Sequence, residues 1–333
     1  MARKSVLVTG LAIDEAAESR LISEGVDIIY AGSALASAEL AALAAQHQVH
    51  GIIVRQGVID ERVIAASERL AVLSRHGTGV DLIDLSAATR RGIPVLRAAG
   101  ANAKSVAEHT IGFIFGLVKN FKPLDQAVRD GQWPKPGYVG RDIAGLDLGI
   151  VGFGAVGQLV AQSATALGMS VRVYDPRAQV PENIIHAPSL EALLAQSDVV
   201  SLHCPLTQES WHMLDASALA LMRKDAFLVN TARGGLVDER ALVEALRSGQ
   251  LAGAALDSFE VEPPAPDNAL WDLPNIILTP HIAGAGQSGM KAVGLSCVGN
   301  LLDALKGRPL RRACLANPDV AHLVPASSGI KFE

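Results

Sequence analysis

Cysteine is rare in this sequence of 333 residues. The three cysteines, Cys204, Cys297 and Cys314, are odd in number and show no CxxC spacing. This pattern excludes a disulfide framework and predicts free thiols in a reducing compartment. No cluster of His, Cys and Asp has the spacing of metal ligands, so no metal site is predicted. We therefore expect a cytoplasmic protein.

Long apolar runs are also missing, although hydrophobic residues make up 49% of the chain and the mean hydropathy is +0.27. The longest apolar stretches, 111–118 and 148–157, are roughly half as long as a membrane-spanning helix. The apolar run near the amino terminus, 6–8, is too short for the core of a signal peptide. The sequence therefore predicts neither a membrane partner nor export.

Basic charge is not in excess either. The 29 Lys and Arg residues and the 34 Asp and Glu residues are interspersed and give a net charge of -5. Without a basic stripe that could follow a phosphate backbone, we expect no nucleic-acid partner. The length corresponds to about two domains, which is enough to bury a core without disulfides or a structural metal.

Short β-branched runs alternate with Ala-rich helical segments along most of the chain. Strands are predicted at 5–9, 27–30, 51–55, 71–75 and 93–96, and again from 148 and at 171–174, 199–202, 227–230, 252–256 and 276–278. Continuous Val- and Ile-rich runs separated by helices indicate parallel strands that are buried on both faces. The predicted fold class is α/β, with two doubly wound parallel sheets.

Two GxGxxG strings occur, and only the first has the context of a dinucleotide site. Gly152, Gly154 and Gly157 follow an apolar strand, open a helix and are followed by a strand that ends at Asp175. The glycines would permit a tight turn, a close approach of the backbone to a pyrophosphate and tight helix packing. Asp175 can accept a hydrogen bond from a ribose 2'-hydroxyl and would repel a 2'-phosphate, so NAD is predicted. Arg177 leaves room for a relaxed preference. The second string, in HIAGAGQSGMK, lacks the strand and the acid, and we interpret it as a flexible helix start.

Three polar segments follow later predicted strands, at the edge where ligands collect in an open parallel sheet. They are NTARGG with Arg233, LDSFEVEPP with Asp257 and Glu262, and LTPHIAG with His281. A guanidinium can hold a carboxylate through two hydrogen bonds and polarise a carbonyl. A histidine titrates near neutral pH, and an adjacent carboxylate stabilises its protonated form. Each residue taken alone also fits a structural role, as a surface ion pair, a solvated loop residue or a packed histidine.

The ordered motifs between Arg55 and Arg308 resemble the D-isomer-specific 2-hydroxyacid dehydrogenases. This family includes phosphoglycerate dehydrogenases, hydroxypyruvate and glyoxylate reductases and D-lactate dehydrogenases. The motifs are SRHGTGVDLID, NAKSVAEHTIG, the glycine loop with YDP, LHCPLT, NTARGGLVDE, ALDSFEVEP and TPHIAG. The resemblance implies an NAD-dependent oxidoreductase that interconverts a D-2-hydroxy acid and its 2-keto acid. It suggests 3-phosphoglycerate, hydroxypyruvate or glyoxylate as the type of substrate.

The resemblance also implies how the chain is organised. A Rossmann NAD-binding domain at 102–285 would be inserted in a flavodoxin-like substrate-binding domain formed by 1–101 and 286–333. The family further implies a homodimer, built largely on the NAD-binding domain around 120–140.

Residue roles follow from the same resemblance. The implied catalytic residues are Arg233, Glu262 and His281. The implied substrate-binding residues are Arg55, which would face the distal group of the substrate, Gly77, Thr78 and Gly79, whose backbone N–H groups would hold its carboxylate, and Arg233. The implied cofactor-binding residues are Gly152, Gly154, Ala155, Val156, Gly157, Asp175, His203, Pro205, Thr207, Thr231, Asp257 and Gly284. Gln56 and Gly57 depart from the polar pattern usual in phosphoglycerate dehydrogenases, which counts against a phosphate-bearing substrate.

Two other functions are compatible with parts of the pattern. NAD-sensing corepressors of the C-terminal binding protein family resemble the same motif set, but the short segment after Arg308 and the complete trio favour an enzyme. Formate dehydrogenases of this superfamily carry Gln where this chain has Glu262, which disfavours that activity.

Overall fold

The structure is a computed structural model that describes residues 3–33, 35–323 and 331–333. The chain forms two compact units, one of Met1–Asn102 with Gln287–Glu333 and one of Ala103–Gly286. Each boundary lies one residue beyond the predicted domain boundary. In the part of the chain that the structure describes, no helix has the length and apolar character needed to cross a membrane.

Elements are numbered along the chain. The first unit contains the strands β1 (Lys4–Thr9), β2 (Val26–Tyr30), β3 (Gly51–Val54), β4 (Val72–Arg75) and β5 (Val95–Arg97). Its helices are α1 (Glu15–Ser23), α2 (Ser37–His47), α3 (Glu61–Ala65), α4 (Leu85–Arg90) and α11 (Gln287–Leu305). Near the carboxyl terminus lie the 3-10 helices Arg312–Cys314 and Pro318–His322 and a small parallel pair, β13 (Pro309–Leu310) and β14 (Lys331–Phe332).

The sheet of the first unit has the order β2-β1-β3-β4-β5, with all strand pairs parallel. This is the flavodoxin-like order, which has its switch point between β1 and β3. One face packs Val6 and Ile53 against Leu301 of α11, and the opposite face packs Leu7 and Ile52 against the helices α2 to α4. Because both faces are buried, the strands are continuous apolar runs.

The second unit contains the strands β6 (Asp147–Val151), β7 (Ser170–Tyr174), β8 (Ile185–His186), β9 (Val199–Leu202), β10 (Ala226–Asn230), β11 (Leu251–Leu256) and β12 (Ile276–Leu278). Its helices are α5 (Ala103–Val118), α6 (Phe121–Arg129), α7 (Ala155–Ala166), α8 (Leu190–Gln196), α9 (Ala216–Leu221) and α10 (Glu239–Arg247), with a 3-10 turn at Gly234–Leu236.

The second sheet has the order β12-β11-β10-β9-β6-β7-β8, again with parallel pairing. The chain builds outward in both directions from the boundary between β6 and β9, so the carboxyl ends of these two strands frame the crevice in which such sheets bind ligands. The predicted fold class, α/β with two doubly wound parallel sheets, is confirmed.

The helix α10 illustrates how local sequence positions the site. The sequence predicts a helix over 238–248, and the structure has it at Glu239–Arg247. The Asp238 side chain accepts a hydrogen bond from the Ala241 backbone N–H, and Gly249 adopts φ +71° just beyond the helix. These are the expected start and stop signals.

Proline affects two elements. Helix α5 ends at Val118, and the separate helix α6 contains Pro123 in its first turn, where a helix does not need the N–H that proline lacks. The sequence predicts a strand from residue 93, whereas β5 begins at Val95. Pro94 has no N–H to donate to the ladder, although its carbonyl accepts from Leu73.

Candidate active site

A tight turn of glycines joins β6 to α7. Gly152 adopts φ +94°, and a Cβ there would lie 2.6 Å from the backbone N of Cys204. A Cβ on Gly157 would lie 2.2 Å from the carbonyl O of Gly152, so only glycine allows the helix to approach the strand this closely. By contrast, a Cβ on Gly154, the N-cap of α7, would meet no atom of the described residues within 4 Å. The helix amino terminus, with Ala155 in its first turn beside Val156, is therefore open for the pyrophosphate of a dinucleotide.

Asp175 follows β7 directly and holds the adjacent backbone. Its Oδ2 accepts from the Phe153 N–H at 2.8 Å, and its Oδ1 accepts from the N–H groups of Arg177 at 2.8 Å and Ala178 at 3.0 Å. Burial opposes ionisation, but the three backbone hydrogen bonds outweigh it and lower the pKa of the carboxyl. An ionised, oriented carboxylate at this strand end fits the ribose of NAD.

Four further predicted cofactor residues follow β9 and β10. The Nε2 of His203 lies 2.8 Å from Ser201 Oγ, and desolvation lowers the pKa of His203 to about 3, so this imidazole is neutral. Ser210 Oγ donates to the carbonyl of Pro205 and accepts from the N–H of Thr207, which fixes the loop. The buried Thr231 hydroxyl lies 2.8 Å from the hydroxyl of Thr110 on α5, so it is committed to an internal contact. Gly284 lies between β12 and α11.

We expect Asp175→Ala to weaken NADH binding and to narrow the preference for NADH over NADPH. The change removes the ribose acceptor and the charge that repels a 2'-phosphate. Asp175→Asn removes the charge but keeps one of the two oxygens that accept from the backbone, so it disturbs the turn less than Asp175→Ala does. The ratio of kcat/KM values for the two cofactors is the measurement. An unchanged ratio in both variants would show that Asp175 does not contact the ribose.

Glu262 and His281 form a hydrogen-bonded pair beyond the ends of β11 and β12. Glu262 Oε2 lies 2.7 Å from His281 Nδ1, and Glu262 Oε1 accepts from the Phe259 backbone N–H at 3.0 Å. Desolvation raises the pKa of Glu262, but the hydrogen bonds from His281 and Phe259 and the nearby positive charge of Arg233 lower it overall. Within the described part of the chain no residue hydrogen-bonds to His281 Nε2, and 46% of the side chain is exposed. This nitrogen can therefore exchange a proton with a ligand.

The backbone of His281 is held in the left-handed region, at φ +54°. Asp257, which is 1% exposed, stabilises the segment around it. Its Oδ1 accepts from the Ile282 N–H and its Oδ2 from the Ala283 N–H, both at 2.8 Å, and the Thr279 hydroxyl donates to Oδ1 at 2.5 Å. The family resemblance implies a role with the cofactor for Asp257. In the structure its carboxylate is turned toward the segment that carries the histidine.

Arg233 follows β10 and begins a turn whose backbone is fixed by Asn230. The Asn230 amide donates to the carbonyl of Arg233 at 2.8 Å and accepts from the Ala232 N–H at 3.0 Å. Gly234, next to Arg233, contacts the backbone of Phe259 and Glu260, so Arg233 lies at the same edge of the second sheet as Glu262 and His281. This edge can bind an anion and transfer a proton.

The predicted substrate residues of the first unit lie at the carboxyl edge of its own sheet. Arg55 directly follows β3 at the switch point, where its N–H donates to the Thr9 hydroxyl at 3.0 Å. Gly77 has φ +143° and donates its N–H to the carbonyl of Arg75. Among the described residues no hydrogen bond occupies the N–H groups of Thr78 and Gly79. This short loop therefore offers two adjacent backbone donors.

Three cysteines are free thiols, and the described residues contain no group of His, Cys, Asp or Glu that could hold a metal ion. Sequence reasoning missed Thr279, and it also missed Glu239 and Glu260, whose side chains accept from each other's backbone N–H groups. Thr279 lies in the motif TPHIAG, but the motif gives no sign that its hydroxyl would bond Asp257.

Comparison with known proteins identifies the second unit. Residues 111–283 match the family profile described as D-isomer specific 2-hydroxyacid dehydrogenase, NAD binding domain. The prediction of NAD as the cofactor is confirmed by this match.

Individual relatives resemble a larger part of the chain. The D-3-phosphoglycerate dehydrogenase of Archaeoglobus fulgidus is 39% identical over 79% of this chain and 50% of its own length. The hydroxypyruvate reductase of Thermotoga maritima is 36% identical over 78% of this chain and 85% of its own length. The crystal structure of the TT0316 protein from Thermus thermophilus has a TM-score of 0.83 at 38% identity, covering 91% of this chain and 97% of that one. The chain spans about half the length of the curated phosphoglycerate dehydrogenases it matches.

Proposed function

The chain belongs to the D-isomer-specific 2-hydroxyacid dehydrogenase family, and on that premise we propose that it interconverts a D-2-hydroxy acid and its 2-keto acid with NAD. The observation that carries this proposal is the 2.7 Å pair of Glu262 and His281, beside Arg233, in the unit that carries the glycine turn. A proton donor, a carboxylate that supports its protonated form and a guanidinium are the groups that keto-acid reduction requires.

In the proposed reaction, bound NADH supplies the hydride that reaches the carbonyl carbon. The Arg233 guanidinium holds the carboxylate of the keto acid and polarises its carbonyl. His281 Nε2 donates its proton to the carbonyl oxygen as charge develops there, which leaves a neutral imidazole and a hydroxyl group. Glu262, bonded to Nδ1, fixes the ring and favours the protonated form before the transfer. Oxidation of the hydroxy acid reverses each step.

The first unit would contribute substrate-binding groups. The N–H groups of Thr78 and Gly79 suit a carboxylate, because adjacent backbone donors form anion-binding sites. Arg55, at the switch point of that sheet, is proposed to face the distal group of the substrate. These two roles support a short 2-keto acid that carries a polar or charged distal group.

Hydroxypyruvate and 3-phosphohydroxypyruvate are the candidate keto acids with a distal group, and glyoxylate is the candidate without one. The names of the relatives support all three, whereas Gln56 and Gly57 weigh against the phosphorylated one. NADH oxidation followed by absorbance with these compounds, and with pyruvate and sulfonated keto acids, tests the proposal. We expect turnover of at least one of them. Tight NADH binding by fluorescence without turnover of any keto acid would instead support an NAD-sensing binding protein.

We also propose a homodimer formed through the region 120–140. None of the nine described residues of α6 is buried, although several apolar side chains lie on this helix and on the segment after it. The exposed fractions are 57% for Phe121, 52% for Val128, 71% for Trp133 and 91% for Val139. A second copy of the chain would cover this surface.

A cytoplasmic location stays a prediction.

Sedimentation velocity tests this interface. The wild-type chain is expected to sediment as a species of two chains. Phe121→Ser combined with Val128→Ser should shift it toward one chain, because the change removes apolar area from the proposed contact. Leu221→Ser, at an apolar residue of α9 that is 46% exposed, is the matched control and should not change the mass. A monomeric wild-type protein would refute the proposal.

A further inference from the structure

Two glutamates, Glu239 and Glu260, hold the loop that carries Glu262, because the side chain of each accepts a hydrogen bond from the backbone N–H of the other. The Glu239 backbone N–H donates to Glu260 Oε1 at 2.8 Å, and the Glu260 backbone N–H donates to Glu239 Oε1 at 2.7 Å. Glu239 Oε2 accepts from the Asn268 side-chain amide at 3.2 Å. These hydrogen bonds connect the first turn of α10 to the loop after β11.

The same loop contacts the Arg233 turn without any intervening side chain. A Cβ on Gly234 would lie 1.8 Å from the carbonyl C of Phe259 and 2.3 Å from the backbone N of Glu260. The two backbones therefore touch. Gly234 immediately follows Arg233, and five residues further along the same segment Glu239 makes its bonds to Glu260.

Solvent lies on the other side of the loop. Val261, between Glu260 and Glu262, is 70% exposed, and the Glu262 side chain is 36% exposed. Phe259 is buried in the core of the second unit. Besides the contacts of its own side chain, the position of Glu262 therefore depends on what holds Phe259 and Glu260, because Val261 makes no buried contact between them.

We propose that Glu239 and Glu260 are positioning residues for the reaction, which hold the Glu262 loop against the Arg233 turn so that Glu262 meets His281. This inference rests on the proposed function for its meaning, but the geometry that it concerns is independent of the substrate. Neither glutamate is proposed to touch substrate or cofactor.

Several charged side chains lie near these glutamates, because Asp238, Arg240, Glu244 and Arg247 line the same cavity as Glu239 and Glu260. Glu260 faces Glu239 and His212, whose Nε2 lies 3.1 Å from Glu260 Oε1 and whose ring stacks on Trp211. Glu262, in turn, faces His281 and the charge of Arg233. Removing Glu260 therefore takes away a carboxylate as well as a hydrogen-bond acceptor. A useful test must separate these two effects.

The test compares Glu260→Ala with Glu260→Gln. Alanine removes the acceptor for the Glu239 N–H, whereas glutamine keeps an acceptor oxygen and removes only the charge. For Glu260→Ala we expect kcat of keto-acid reduction to fall on the order of 10-fold to 100-fold, since a displacement of about 1 Å costs up to that much. The alkaline limb of its pH profile should move to lower pH, because a displaced Glu262 supports the protonated imidazole less. Glu260→Gln should restore most of both properties.

Glu244→Ala is the matched control. Glu244 lies on the same helix and is 72% exposed on its side chain, and its ion-pair partner, Arg247, is 3.9 Å away on the next turn. Glu244→Ala should leave both kcat and the alkaline limb of the pH profile unchanged. Asn268→Ala removes one bond to Glu239 and should shift the limb in the same direction by less, which keeps the test available if Glu260→Ala does not fold. NADH affinity, measured by fluorescence titration, should stay the same in every variant.

A second readout does not depend on turnover. The imidazole of His281 is titrated by NMR in histidine-labelled protein, and its signal is assigned by its loss in His281→Ala. Glu260→Ala should lower the titration midpoint and Glu260→Gln should not. Equal midpoints in wild type and Glu260→Ala, or an equal shift in both Glu260 variants, would overturn the positioning role. An inactive wild-type protein would refute the proposed function while leaving this titration to decide the inference.

Discussion

Replacement of His281 by alanine is expected to lower kcat for keto-acid reduction by about 10²- to 10⁴-fold, the usual contribution of a general acid. The loss follows from removal of the only proposed proton donor, whose Nδ1 is bonded to Glu262 at 2.7 Å. NADH affinity should change little, since this side chain is not part of the glycine turn. Steady-state kinetics and fluorescence titration measure the two quantities.

Glu262→Gln tests whether the Glu262 carboxylate favours the protonated form of His281. Glu262 Oε2 lies 2.7 Å from His281 Nδ1, and a carboxylate at hydrogen-bonding distance favours the protonated form of an imidazole. Reduction needs that protonated form, so activity is lost as pH rises through the titration of the histidine. Without the carboxylate, the alkaline limb should move to lower pH, and activity should partly recover on acidification. A limb that stays in place or moves to higher pH, with chemistry limiting the rate, would contradict the proposed pair.

Arg233→Lys should produce the second large effect. Lysine keeps the charge but loses the planar fork that binds a carboxylate through two hydrogen bonds, so kcat/KM should fall by about 10²-fold or more. NADH affinity should remain close to that of the wild type. Arg247→Lys, at an exposed position of α10, is the control and should leave both quantities unchanged. Near-normal kcat/KM in Arg233→Lys would place Arg233 outside the substrate site.

The features that sequence reasoning predicted well are those with short-range physical causes. The glycine turn could be predicted because a tight turn and close helix packing both demand the absence of a Cβ, and Gly152 and Gly157 meet neighbouring backbone at 2.6 and 2.2 Å. Helix α10 could be predicted because its start signal, Asp238, and its stop signal, Gly249, lie next to the ends of the helix in the sequence.

Features that depend on distant parts of the chain could not be predicted in this way. Glu239 and Glu260 are 21 residues apart, and their reciprocal bonds exist only because β10 and β11 are neighbours in the sheet. A glutamate in the first turn of a helix is also ordinary on helix-dipole grounds alone, so it gives no distinct signal. The orientation of Asp257 toward Ile282 and Ala283 likewise depends on the pairing of β11 with β12.

The left-handed backbone of His281 also bears on how this protein would respond to selection for heat resistance. A residue with a Cβ in that conformation costs roughly 1–2 kcal/mol, a cost that glycine avoids. Asparagine tolerates the conformation better than histidine, because its short side chain can hydrogen-bond locally. Selection of a variant library for thermal stability alone would therefore accept replacements of His281, and the selected proteins would be more stable but unable to transfer a proton. Selection for activity that remains after heating would retain His281 and favour stabilising substitutions elsewhere in the chain.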